Sequence, residues 1–289
     1  MKNLFSKHPN VKAVTVVEKL QSQLPKLSPT EARIAHYVIS NINEIGFETG
    51  ASLAHKAAVS EISVSRFLRK AGYKSIAGLK RELQTEATKG HDVPALPRGS
   101  SAYGTVRDLE IKAITRLFEQ FEGEEWKALV KTASQSVEIY VTGFQSVRGT
   151  AEDFARRLGL ARNRVRYFSA HDGMLGEWLA FQGDARSKSI TLILIDVVPY
   201  AQEGPKIAEI AKEMGFMLIV ISDEFCDWAH TLADHAIFAK SRSGLFLEST
   251  VALVLVLNVL VDSVARSAPG AGQSRFDSWQ LLTRRLGIF

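Results

Sequence analysis

Residues 52–74 read SLAHKAAVSEISVSRFLRKAGYK, two short helical patterns either side of a break at Val59-Ser60. The first places Leu53, Ala54 and Ala57 on one face; the second places Val64, Phe67, Leu68 and Ala71 on one face. Small residues (Ala54, Ala57, Ala58) stand where two helices would have to cross closely. The Ser60 hydroxyl can accept a bond from a free backbone N–H and cap the second helix. This is the pattern of a helix-turn-helix, whose second helix enters the DNA major groove. At about 100° per residue, the face opposite the apolar one holds Ile62, Ser65, Arg66 and Arg69, flanked by Ser63 and Lys70. Arginine forks onto guanine O6 and N7, serine bonds base edges or phosphate, and isoleucine suits a thymine methyl. The expected DNA-contacting set is therefore Ser60, Ile62, Ser63, Ser65, Arg66, Arg69, Lys70 and Lys74. The competing reading is a solvated face in an ordinary helical bundle, since every surface helix has a polar side.

Charge favours the first reading. The 289-residue chain is +5 overall, but residues 1–90 hold ten lysines, four arginines and seven glutamates with no aspartate, a net +7. The remainder is −2. A basic module supplies salt-dependent attraction to phosphate backbone. A membrane surface would attract it too, but the apolar positions are used in a small core and leave no membrane face.

Length predicts two domains. Cys226 is the lone cysteine, which excludes an intramolecular disulfide and a cysteine-based zinc site. The seven histidines include no i, i+4 pair, so neither a metal nor a cofactor is expected. The opening residues lack the apolar run of a signal peptide, and Val251–Leu260 is too short to span a bilayer, so a soluble cytoplasmic protein is expected.

The first domain is expected over residues 10–88. Ser28-Pro29-Thr30-Glu31 opens a helix with a cap, a proline in the first turn and a glutamate able to reach back. Ile34, Ala35, Val38 and Ile39 line its apolar face, and Gly72 suits the end of the second helix of the helix-turn-helix. Residues 89–104, rich in Gly, Pro and Ser, read as a linker. From 105 to 289 the pattern alternates. Strands are expected at 136–142, 164–168, 189–195, 216–222 and 235–239, with helices at 105–121, 149–160 and 206–214 and around Trp178. The near-continuous apolar strands predict a mostly parallel five-stranded sheet covered by helices on both faces. The fold class is thus an all-α helix-turn-helix domain followed by an α/β domain.

With Leu27-Ser28-Pro29-Thr30-Glu31, Leu53-Ala54, Val59-Ser60, Val64, Arg66, Phe67 and Gly72-Tyr73 in this order, the chain resembles the RpiR/MurR family of bacterial transcription regulators. There a helix-turn-helix domain precedes a sugar isomerase (SIS) domain. The resemblance implies a homodimer or homotetramer that binds double-stranded operator DNA and changes affinity when its second domain takes up a small-molecule effector. It also implies phosphosugar loops: a Gly-rich turn with a serine after the first strand, and a Ser-x-Ser-Gly-x-Thr loop after a later central strand. This chain departs from both. The first turn reads Gly143-Phe144-Gln145-Ser146-Val147-Arg148-Gly149, with Gln145 and Val147 at the usual Gly and Ser. The later loop reads Asp196-Val197-Val198-Pro199-Tyr200-Ala201, without its hydroxyls and with a proline that removes an N–H.

Parallel sheets bind ligands beyond the C-terminal ends of their strands. The effector set expected there is Gly143, Gln145, Ser146, Arg148, Asp196 and Tyr200, with Asp196 suited to amine or hydroxyl groups and Arg148 to one anionic group. The plainer reading has Asp196 capping the following helix and Arg148 solvated. His171-Asp172 could serve an isomerase but is more simply loop structure. The apolar run Val251–Leu260 suits a helix buried against the sheet or in a subunit interface. The function expected is a ligand-responsive regulator of a metabolic operon, not an enzyme. The alternatives are a sugar-phosphate isomerase and a DNA-binding protein whose second domain only oligomerises.

Overall fold

A computed structural model describes residues 15–288 apart from 43–44, 90–100, 170, 172, 182–188, 199, 227, 244, 246 and 269. Among the residues read from sequence, 10–14, most of the linker, Asp172 and Pro199 lie outside the described set. The chain divides into two units, Met1–Lys89 and Gly90–Phe289.

The first unit contains helices α1 (Val16–Gln23), α2 (Pro29–Ser40), α3 (Gly50–Lys56), α4 (Glu61–Lys70) and α5 (Ile76–Lys89). Its starts are set by local chemistry. Thr15 with Glu18, Ser28 with Glu31 and Thr49 with Ser52 each form a reciprocal capping pair, satisfying backbone N–H groups that a helix start leaves open. Val16, Leu20, Ile34, Ala35, Val38, Leu53, Val64, Phe67 and Leu79 are fully buried or nearly so, one core gathered from five amphipathic stripes.

The second unit opens with α6 (Ser101–Phe121). Ser101–Gly104 are thus helical, although their composition reads as linker. Helix α7 (Glu124–Gln135) follows, then a sheet of β1 (Glu138–Gly143), β2 (Val165–Tyr167), β3 (Ile190–Asp196), β4 (Met217–Asp223) and β5 (His235–Ala239). All four pairings are parallel, in the order β2-β1-β3-β4-β5. Side chains alternate across it. Ile139, Val141, Ile193, Ile195, Ile219 and Ile221 pack with residues of α6, α7, α8 (Arg148–Ala161) and α11 (Val251–Ser267). Tyr140, Leu192, Leu194, Leu218 and Val220 pack on the other face with Trp178, with α9 (Glu203–Glu213) and with α10 (Ala229–Leu232). Burial on both faces explains why β3 is apolar along most of its length. The segment around Trp178 (Met174–Phe181) is a 3-10 helix, and Trp178 stacks on Phe168 with ring centroids 4.7 Å apart.

Helix α11 buries Ala252, Leu253, Val256, Leu257, Leu260 and Val264 against the sheet. Its apolar composition is accounted for inside one chain, so it does not by itself argue for a subunit interface. A last helix, α12 (Ala271–Arg285), packs beyond it and has no counterpart in the sequence reading. Among the described residues no single helix is long and apolar enough to cross a membrane.

Candidate functional site

Helices α3 and α4 are joined by a turn whose hydrogen bonds are fully assigned. The Ala58 N–H donates to the His55 carbonyl (3.1 Å) and the Val59 N–H to the Ala54 carbonyl (2.9 Å). This paired closure needs a left-handed residue after the cap, normally glycine, and here Ala58 takes it at φ 52°. Helix α4 ends by the same closure, with Gly72 at φ 94° in the equivalent place. Arg33 reaches across from α2 and donates to the Ala58 carbonyl at 3.2 Å, pinning the turn.

Helix α4 buries Val64, Phe67 and Leu68. Ile62, Ser65, Arg66 and Arg69 are exposed on the other side, Ile62 at 67%. The side chains of Ser65, Arg66 and Arg69 make no hydrogen bond or ion pair with another described residue. Ser60 caps the helix by accepting from the Ser63 N–H at 3.2 Å, and the two hydroxyls lie 2.9 Å apart. Lys74 is exposed. Lys70 departs from the expected set. Its ammonium donates to Glu31 at 2.7 Å and to the Lys26 carbonyl at 3.2 Å, so it ties α4 to the start of α2. That ion pair holds the Glu31 carboxyl below its ordinary range.

The second candidate region is the edge where the parallel strands end. Gly143 pairs with Ile195 in register, so the loops after β1 and β3 are neighbours. Gln145, Ser146 and Arg148 are exposed there, Gln145 with φ 44°. Gly143 is buried and packs tightly. A Cβ on it would stand 2.5 Å from the Ala151 methyl, so its glycine serves the strand-to-helix approach and does not show a ligand contact.

Asp196 and Tyr200, expected at the effector, are instead used inside the protein. Asp196 is 2% exposed and accepts from the Val197 N–H (3.1 Å) and the Ala201 N–H (3.2 Å). Tyr200 donates its hydroxyl to Asp223. Asp223 also accepts from the Val198 N–H (2.7 Å) and the Phe225 N–H (3.0 Å). Four backbone N–H groups and one hydroxyl thus converge on two internal carboxylates. These are donors of the kind that a phosphate cradle would present to a ligand. Desolvation dominates the electrostatics. Burial pushes Asp196 up to about 8 against the pull of its two N–H donors, with Asp223 and Glu203 raising it further. Glu224 is pushed up to about 7, first by burial and then by Asp223. Its Oε2 accepts from the Ser241 N–H at 2.9 Å, while its Oε1 has no partner among the described residues. Cys226 is buried and its thiol is pushed well above the usual range, chiefly by desolvation, which makes it a poor nucleophile.

With this geometry established, residues 14–90 match the family described as "Helix-turn-helix domain, rpiR family". The first unit is an rpiR-family helix-turn-helix domain. The whole chain is similar in fold to NanR of Vibrio vulnificus, solved with ManNAc-6P, at 16% identity and a TM-score of 0.55, covering 94% of this chain and 99% of that one. The sugar isomerase domain of an RpiR transcription factor from Sphaerobacter thermophilus matches at 18% identity and a TM-score of 0.50, covering 63% of this chain and 99% of that one. A curated relative, "Bifunctional protein glk" of Burkholderia mallei, is 24% identical over 271 residues. That match covers 89% of this chain but 41% of the relative's length. The chain thus joins a domain that matches the rpiR-family helix-turn-helix to an α/β domain similar in fold to the sugar isomerase domain of that RpiR factor.

Within this regulator fold, the sequence reading missed Asp223 and Glu224 at the end of β4. A signal was present, since two acids follow the buried strand FMLIVIS and strand ends favour function. The pairing of Lys70 with Glu31 had no such signal, because 39 residues separate them.

Proposed function

We propose that the protein is a transcription regulator that binds operator DNA through α4 and is modulated by a small metabolite held on the α/β domain. The observation that carries this reading is the exposed face of Ile62, Ser65, Arg66 and Arg69, opposite a fully buried Val64-Phe67-Leu68 stripe in a +7 segment. Arg66 and Arg69 read base edges or phosphates, with Ser60 and Ser63 at the start of the same helix and Lys74 in the turn beyond its end as backbone contacts. Lys70 is engaged instead with Glu31 and the Lys26 carbonyl.

The effector reading rests on position. NanR holds ManNAc-6P, which supports a sugar-derived effector for this fold. On this chain the exposed strand-end residues are Gln145, Ser146 and Arg148, with Asp196 and Tyr200 shaping the neighbouring loop from inside. A homodimer or homotetramer suits a reader of paired half-sites roughly 34–36 Å apart; sedimentation of the full chain measures it.

The test is fluorescence anisotropy with DNA from the promoter next to the protein's own gene, repeated across salt concentrations and with sugars and sugar phosphates added. Specific binding that weakens steeply with salt and shifts with one metabolite is expected. Binding that no metabolite alters would leave a DNA-binding protein with a purely oligomerising second domain. An isomerase reading draws on the exposed His171–Glu203 pair (2.9 Å) near the strand ends. Turnover of a sugar phosphate, lost in His171→Gln, would establish it.

A further inference from the structure

We infer that a cavity of about 710 Å³ at the opposite edge of the sheet is a second small-molecule site, taking a phosphorylated metabolite. The inference does not depend on the effector reading above. Gln135 lies just ahead of β1, and Arg162 and Asn163 just ahead of β2, so the cavity opens where strands begin and the 143–149 and 196–201 loops do not line it. Its size falls within the range of roughly 300–1,000 Å³ usual for small-molecule sites.

Three helices end at this cavity, α7 at Gln135, α8 at Ala161 and α11 at Ser267. Their terminal carbonyls would make it electronegative if left alone. Two arginines reverse that. Arg162 donates to the carbonyls of Ala133 and Ser136 at the end of α7, and to that of Asn163 at 3.0 Å. Arg275 donates to the Gly159 carbonyl near the end of α8 and to the Asn163 side chain. A guanidinium has five N–H groups, so after these bonds about two remain on each arginine. Both arginines line the cavity, as do Lys127 and Lys131. No carboxylate is among the lining side chains. Lys127 has a surface partner in Glu124, itself 89% exposed, an i,i+3 pair of little strength.

The result is four cations around one cavity, two of them anchored in fixed orientation by helix ends. Convergent, pre-oriented donors are what a phosphate dianion requires. Arg162 is half buried, and desolvation draws its pKa down, so a bound anion would relieve it. Trp126, Val130 and Val264 also line the cavity and give it apolar surface suited to the carbon skeleton of a sugar or similar metabolite. The contrast with the other edge is chemical. There the convergent N–H groups are already held by Asp196 and Asp223. Here the cations meet no internal carboxylate.

The experiment uses the full chain in a phosphate-free buffer, titrated with a hexose 6-phosphate, with inorganic phosphate and with the unphosphorylated hexose. Calorimetry gives affinity, and tryptophan fluorescence reports the cavity through Trp126. The expected result is saturable binding of the hexose phosphate at about 1 mM or tighter, competition by inorganic phosphate, and no binding of the bare hexose. Lys131→Glu should weaken it at least tenfold. Lys131 is exposed, so the unliganded melting temperature should not move. Arg148→Ala, at the other edge, should leave this binding unchanged. Failure of both phosphates to bind overturns the inference. So does binding that survives Lys131→Glu but is lost in Arg148→Ala, which would place the anion at the strand-end loops and leave the proposed function standing.

Discussion

The exposed face of α4 and the loop after β3 both looked like binding surfaces, and they are built in opposite ways. On α4 the polar groups point outward, and the Arg66 and Arg69 side chains have no partner among the described residues. In the β3 loop the polar groups point inward: Asp196 and Asp223 accept from the loop's own N–H groups, and Tyr200 donates its hydroxyl to Asp223. A polar residue on a helix face is available because helical hydrogen bonds use only the backbone. A polar residue at a buried strand end must find a partner, because an unpaired one costs about 1–3 kcal/mol. Polarity alone therefore signals function on the first kind of surface and structure on the second.

The strongest way to break this comparison is to remove both arginines. Arg66→Ala combined with Arg69→Ala should weaken specific DNA binding by about 4 kcal/mol, roughly a thousandfold, if each reads a base. The fold should persist, because neither side chain is buried. Anisotropy measures the first and circular dichroism the second; full affinity in a folded double variant would remove α4 from the interface.

The β3 loop should answer with stability. Asp223→Ala leaves the N–H groups of Val198 and Phe225 and the Tyr200 hydroxyl without their acceptor. A loss of about 3 kcal/mol in the α/β domain is expected. All four tryptophans lie in residues 126–279, so their fluorescence in the full chain follows this domain alone. An unchanged urea midpoint would mean that these bonds contribute nothing.

The same domain should also respond to pH. Asp196 and Glu224 are raised by burial, to about 8 and about 7, so between about pH 4 and 8 the folded state holds protons that the unfolded chain releases. Stability should therefore fall as pH rises through that window. Asp196→Asn should flatten the slope. Stability that rises over the same range would show that the carboxylates are ionised in the fold.

The smallest effect sharpens the first region. Ala58 holds a left-handed conformation that Gly72 holds without strain at the end of α4. Ala58→Gly should stabilise the first domain by about 0.5–1 kcal/mol. DNA affinity should not change, since the turn's hydrogen bonds reach residue 58 only through its backbone atoms, which glycine keeps. A lower melting temperature would show that the Ala58 methyl packs to more advantage than its backbone strain costs.

The first domain was legible because its information is local. Ser28-Pro29-Thr30-Glu31 caps α2 as its spacing suggests, and the period of Val64, Phe67 and Leu68 sets which face of α4 is buried. The alternation of the second domain was legible for the same reason, since apolar runs of strand length announce a sheet buried on both sides. Less was legible where composition misleads. Ser101–Gly104 are helical despite their small residues, and α7 and α12 went unread.

By itself the sequence determined the order of the elements, the faces they bury and the concentration of positive charge before residue 90. These depend on periodicity and composition, which neighbours in the chain settle among themselves. Only the tertiary structure decided which polar groups remain available. Lys70 meets Glu31, Tyr200 meets Asp223, and Arg275 meets the end of α8, each across a separation in sequence that no local pattern reports. Such pairings arise because burial makes an unsatisfied charge or donor costly, and the partner that satisfies it is whichever group the fold brings within about 3 Å.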